Sequence, residues 1–167
     1  WSALKTAATL ASFRKTVYEQ GINHILNAEE GEAEAVLHQL QEDPGAAELA
    51  DRLEAILCLR QFRYQRAIKI LNRLIEESPD DAGLRALLAD AYDGNGDIHN
   101  YLLSFGELQR SDRSTLSGIE RMHAACAYII HSKTGYDLAD RALDEYPTSH
   151  FARLVRGRMA TMYTNRK

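Results

Sequence analysis

Asp93, Asn95 and Asp97 stand at alternate positions in "YDGNGD" (92–97), separated by Gly94 and Gly96. Alternating oxygen-bearing side chains are how a calcium loop begins. Such a loop takes ligands from positions 1, 3 and 5, turns sharply on a glycine at 6 and closes its shell with a glutamate at 12. Here position 6 is Ile98 and position 12 is Ser104, so both the turn and the bidentate ligand are missing. The same residues suit a turn between helices, in which the glycines end one helix and Asp97 caps the next. A turn is expected here, and no metal.

Other chemistry meets similar obstacles. The histidines are His24, His38, His99, His123, His131 and His150, and no His-Glu-x-x-His occurs among them. His123 and His131 share a helix face, but their rings would lie ~12 Å apart along its axis, too far for one ion. Cys58 and Cys126 each sit inside an apolar helical pattern with no Cys-x-x-Cys, which reads as two buried free thiols. No Gly-x-Ser-x-Gly, Ser-x-x-Lys, phosphate loop or Gly-x-Gly-x-x-Gly is present. No catalytic residue and no cofactor are expected, and the chain does not read as an enzyme.

The elements that carry these residues are helical. At 167 residues the chain is long enough for one domain with a sizeable core, and 45% hydrophobic against 26% charged is ordinary globular composition. Leu, Ala, Glu, Arg and Gln recur, and no alternating strand-length segment stands out, so the class is all-α. The net charge of −4 gives no general attraction to nucleic acid. No apolar run approaches ~18 residues, so no membrane insertion is expected. With no visible signal peptide a cytoplasmic location is expected. The chain opens on Trp1 rather than Met, which reads as a fragment or processed product. Charge is unevenly spread. Residues 29–54 carry nine acids against Arg52 alone, while Arg153, Arg156, Arg158, Arg166 and Lys167 face no acid at the other end. Solvated helix faces explain most of this, and self-association through the two ends is a further expectation.

Periodicity organises the helices. In "YQRAIKILNRLIEESPDD" (64–81), Ala67, Leu71 and Leu74 fall on one face, and Pro79 ends the segment. In "AGLRALLADAYDGNGD" (82–97), Leu84, Leu87, Leu88 and Ala91 form a second stripe. Helix, Pro turn, helix and Gly/Asp turn make an antiparallel hairpin. These residues resemble the tetratricopeptide repeat, two helices in about 34 residues with small residues at the crossing and a terminal proline. Tyr64, Ala67, Leu71 and Pro79 fit its second helix, and Ala55, Leu88, Ala89, Tyr92, Gly96 and Asp97 fit its first helix and turn. Tyr101 replaces an expected alanine, which should splay that hairpin or shift its helix. Gly21 and Ala33 hold spacing in a looser first unit, as do Ala127, Tyr136 and Ala139 in a last one, and "SDRSTLSG" (111–118) reads as an insertion.

The resemblance implies a single domain over 1–167, a right-handed α-α superhelix of about four hairpins. The units are about 14–47, 48–81, 82–115 and 120–147. Residues 3–13 and about 150–165 are read as capping helices, the latter with Phe151, Leu154, Val155, Met159, Met162 and Tyr163 on its apolar face. It further implies a concave groove lined by first helices. The residues it assigns to that groove are Arg52, Ile56, Leu59, Arg60, Ala86, Asp90, Asp93, Arg121 and Tyr128, with Tyr18, Ile22, Ile25, Leu49, Ala124 and His131 beside them. Such a surface suits a peptide or helix held by apolar contacts while arginines read a carboxylate. The function expected is a non-enzymatic protein-binding module, an adaptor or scaffold. The alternative is a sensory domain that binds a small ligand or dimerises to control a neighbouring domain.

Overall fold

The apolar residues of 64–77 recur every three or four positions, and in a computed structural model of the chain this segment is a helix that buries Ala67, Ile70, Leu71 and Leu74. The structure describes residues 2–128 and 132–164, so His131, Arg166, Lys167 and position 165 of the expected C-terminal cap lie outside the described residues. Among the described residues nine α-helices follow one another: α1 (Ser2–Leu26), α2 (Glu30–Gln41), α3 (Ala47–Arg60), α4 (Tyr64–Glu77), α5 (Ala82–Gly94), α6 (Ile98–Arg110), α7 (Gly118–Ala127), α8 (Ser132–Glu145) and α9 (His150–Thr164). Consecutive helices pair as antiparallel hairpins, and each hairpin packs on the next. The result is an all-α helical-repeat solenoid.

A period of 34 runs through all four hairpins. The second helices of the first three hairpins start at Glu30, Tyr64 and Ile98, each 34 residues after the last, and the described part of α8 begins at Ser132, a further 34 on. The turns that precede the first three are alike. Ala28, Phe62 and Gly96, again 34 apart, have φ of +60°, +58° and +74°. Around each, the next residue's N–H donates to a carbonyl five residues back: Glu29 to His24 (2.9 Å), Arg63 to Cys58 (2.8 Å) and Asp97 to Tyr92 (3.0 Å). These are Schellman closures, which satisfy the last carbonyls of a helix by passing one residue through the left-handed region. In the third, Asp97 accepts from the backbone and side-chain amides of Asn100 at 3.1 and 2.7 Å. The Asp/Asn/Gly stretch is thus a helix stop and a helix start.

The fourth hairpin keeps this register, which corrects the reading of 111–118 as an insertion. Gly135 falls where Ala33, Ala67 and Tyr101 fall in earlier units. A side chain there would meet the Ala125 and Tyr128 carbonyls at 3.2 and 3.3 Å. Pro147 follows Pro79 by two periods. The first helix only starts two residues late, at Gly118. A 3₁₀ turn (Arg113–Thr115) precedes it, as Pro44–Ala46 precedes α3, and α7 starts with a capping box between Ser117 and Glu120. Ala127 and Ala139 match the repeat pattern only by coincidence. The small residue expected at the crossing, Gly21, Ala55 and Ala89 in earlier units, is here His123, buried at 2% exposure.

Tyr101 does not open its hairpin, since α5 and α6 remain closely packed. The ring is buried, stacks on Phe105, and its hydroxyl donates to the Ala127 carbonyl at 2.7 Å. The bulk is absorbed between α6 and the end of α7. Residues 3–13 continue into α1 without a break and lie exposed. At the other end α9 buries Phe151, Ala152, Val155 and Met159 and returns the chain to its beginning. Ser149 Oγ donates to the Leu26 carbonyl at 3.3 Å and accepts from Ala152 N at 3.2 Å.

Candidate functional site

Equivalent positions of the first helices form ladders, and one ladder builds the site. Tyr18, Arg52, Ala86 and Glu120 are spaced by 34 and face inward from α1, α3, α5 and α7. Ala86 is fully buried. Arg52 and Glu120 meet across α5, Nη1 to Oε1 at 2.9 Å, while Arg52 Nη2 donates to Asp81 Oδ2 at 2.5 Å. Asp81 also caps α5, accepting from Leu84 N at 3.0 Å. Glu120 also accepts from Ser117 N at 2.8 Å, so each of its oxygens is used. Gly83 leaves room for this carboxylate, since a Cβ would fall 2.4 Å from it and Glu120 would have to move.

Above this brace lies a cleft of about 630 Å³ between α1, α3, the start of α7 and the end of α8. Tyr18, Ile22, Leu49, Ile119 and Tyr146 give its apolar walls. Burial raises the Tyr18 hydroxyl well above its ordinary value, with Arg52 opposing and Glu120 and Asp81 adding to the rise. The Tyr146 hydroxyl is pushed up to about 12, first by burial and then by the carboxylate of Glu145, with Glu19 contributing. Burial works against the Arg52 cation, but Asp81 and Glu120 more than offset it.

The residues assigned to the groove divide into two groups. Arg52 lines the cleft together with Tyr18, Ile22 and Leu49. The others are engaged by the chain itself. Ile56, Leu59 and Ala86 are core. The Arg60 guanidinium lies 3.8 Å from the centre of the Phe151 ring. Asp90 Oδ2 meets His123 Nδ1 at 2.6 Å, and the other ring nitrogen of His123 is buried with no hydrogen-bond partner among the described residues. The Asp93 carboxyl is raised by burial and by Asp90, against the opposing charge of Arg158. Ala124 is buried, Arg121 pairs with Glu145, and Tyr128 is buried against Phe105 while its hydroxyl accepts from Arg113. The distal half of the inner face is thus covered by α9 and the end of α7, and the proximal half is open.

Arg121 stands outside the cleft because the fourth unit was read four residues late. In the 34-residue register Leu49 and Arg52 correspond to Ser117 and Glu120, and both line the cleft, whereas Tyr128 corresponds to Arg60 and lies, like it, away from the cleft. Pro147, two periods of 34 after Pro79, was the signal that would have found them. Glu145 and Tyr146 arrive through closure of the superhelix, and no local pattern announces them.

The family model for the tetratricopeptide repeat matches residues 58–98, from the end of α3 through α4 and α5. That segment is similar to a tetratricopeptide repeat. No curated protein and no solved structure matches it. Tetratricopeptide repeats generally mediate protein–protein interaction and are typically non-enzymatic. Among the described residues no group of His, Cys, Asp and Glu could hold a metal ion, and no helix is long and apolar enough to cross a membrane.

Proposed function

We propose that the chain is a non-enzymatic protein-binding module that holds a peptide or helix of a partner in the cleft between α1, α3 and α7. The observation that carries this reading is the cleft itself. Equivalent inner positions of three different units (Tyr18, Ile22, Leu49, Arg52, Ser117 and Glu120) line one apolar hollow of about 630 Å³. A surface with Tyr, Ile and Leu walls and a braced polar floor presents anchoring pockets without strain on binding.

The test is a random peptide display selection on the immobilised chain, with peptide affinity measured by fluorescence anisotropy. Leu49→Arg fills the cleft with a long cation and should abolish binding while helicity by circular dichroism is unchanged. Phe62→Ala, on a turn away from the cleft, should bind as the parent does. Selected peptides that bind Leu49→Arg as tightly as the parent would place recognition elsewhere. A second reading has one observation in its favour, since this volume also falls in the ~300–1,000 Å³ range of small-molecule sites. A small metabolite that raises the melting temperature of the parent but not of Leu49→Arg would support that sensory reading.

A further inference from the structure

The charge left over in the cleft points to the chemistry of the segment that fills it. The arginines on the inner face are not available to read a carboxylate. Arg52 is neutralised twice, by Asp81 and Glu120. Arg60 lies against the Phe151 ring, and Arg121 is paired with Glu145. Lys15 stands exposed beside Glu19, its helical neighbour one turn on, at 4.0 Å. With their ion-pair partners included, the carboxylates around the cleft are Glu19, Glu48, Asp81, Glu120 and Glu145, against the cations Lys15, Arg52 and Arg121, a surplus of two negative charges. Glu48 is exposed in the first turn of α3 and has no ion-pair partner among the described residues. The surplus is therefore negative and sits at the mouth, over an apolar interior.

We infer that the cleft takes a cationic segment of a partner protein, a short apolar run flanked by lysine or arginine. The inference rests on the cleft being the recognition surface. Apolar side chains of the segment would lie on Ile22, Leu49 and Ile119. A lysine or arginine beside them would run its aliphatic stem along Tyr18 or Tyr146 and set its charge against Glu19 and Glu48. Exposed pairs of this kind add modest affinity but strong discrimination, because an acidic segment would meet like charge at the same mouth. Burial raises the Tyr146 hydroxyl first, and Glu145 and Glu19 add to the rise.

The display selection decides the matter by the composition of its winners. Lysine and arginine should be enriched around an apolar core. Against such a peptide the double variant Glu19→Lys with Glu48→Lys, both exposed positions, should bind about tenfold more weakly at low salt. That difference should shrink as added salt shortens the screening length. Enrichment of aspartate and glutamate, or equal binding by parent and double variant, would overturn the cationic assignment. It would leave the cleft as binding site if Leu49→Arg still abolished capture. Peptides indifferent to Leu49→Arg, or no selected peptide at all, would remove the cleft reading and this inference together. A dimer of the parent, seen by light scattering and broken by the double variant, would give the cleft to a second copy of the chain and also overturn it.

Discussion

At the scale of single residues, the chain spends its inner-face charges on itself. Arg52 looked like a ligand-reading arginine because the repeat resemblance assigns it to the groove. In the folded chain it is a cross-brace tying α3 to the cap of α5 and the capping box of α7. Asp81 carries two of these duties. Burial pushes its carboxyl up, but the Arg52 hydrogen bond and charge, helped by the Leu84 and Gly83 amides, hold it below the ordinary range. A carboxyl depressed by folding contributes stability that is present above its unfolded value and is lost as pH falls through its folded value. Asp43 and Asp97 are likewise held down, by Arg14 and by Asn100. Stability should therefore fall as pH drops below about 4, the ordinary aspartate value. Asp81→Asn should cost about 2 kcal/mol at neutral pH, by leaving Arg52 half-paired, and should flatten part of the acid slope. Urea midpoints of parent and variant across pH test this, and parallel acid slopes would show that Asp81 carries no such linkage.

At the scale of elements, the turns explain both what could be read and what could not. The third turn was legible because glycine and aspartate supply its chemistry openly. The first two perform the same closure with Ala28 and Phe62, residues that give no turn signal, so the 34-residue phase was not visible there. The fourth unit was misread for a related reason. Its first helix starts late, so seven residues link α6 to α7 where four link α4 to α5, and "SDRSTLSG" resembled inserted loop and the groove positions shifted by four. Phe62 makes a sharp test. It holds φ at +58° with its ring 75% exposed, and the left-handed conformation costs a side-chain-bearing residue roughly 1–2 kcal/mol. The ring returns little, an edge contact to Tyr64 at 6.2 Å. Phe62→Gly should therefore stabilise the chain by about 1 kcal/mol, whereas Gly96→Ala should destabilise it by a similar amount. A lower urea midpoint for Phe62→Gly would mean that the ring matters more than the strain.

At the scale of the whole molecule, the hairpins and their order were legible from periodicity, but closure was not. Where the eighth helix ends relative to the first depends on the accumulated rotation of every unit between them, and no local pattern encodes that sum. Closure shapes the inner face, covering its distal half and leaving the proximal half as the cleft. It also changes how the chain should unfold. An open repeat array frays from its ends, each unit leaning only on its neighbours. Here the first hairpin and the last helix meet: Ser149 bonds the Leu26 carbonyl, and Phe151 packs between Arg60 of the second unit and His123 of the fourth, 5.4 Å from the histidine ring. Removing the ring should loosen units far apart in the chain. Phe151→Ala should cost about 3 kcal/mol and should speed amide exchange at the end of α1 as well as in α9. The parent should unfold in urea as one transition by circular dichroism and by Trp1-independent tyrosine fluorescence alike. If exchange rises only in α8 and α9 while α1 keeps its protection, the contact at Ser149 is a mere touch of surfaces. The cleft would then be held by its Arg52 brace alone.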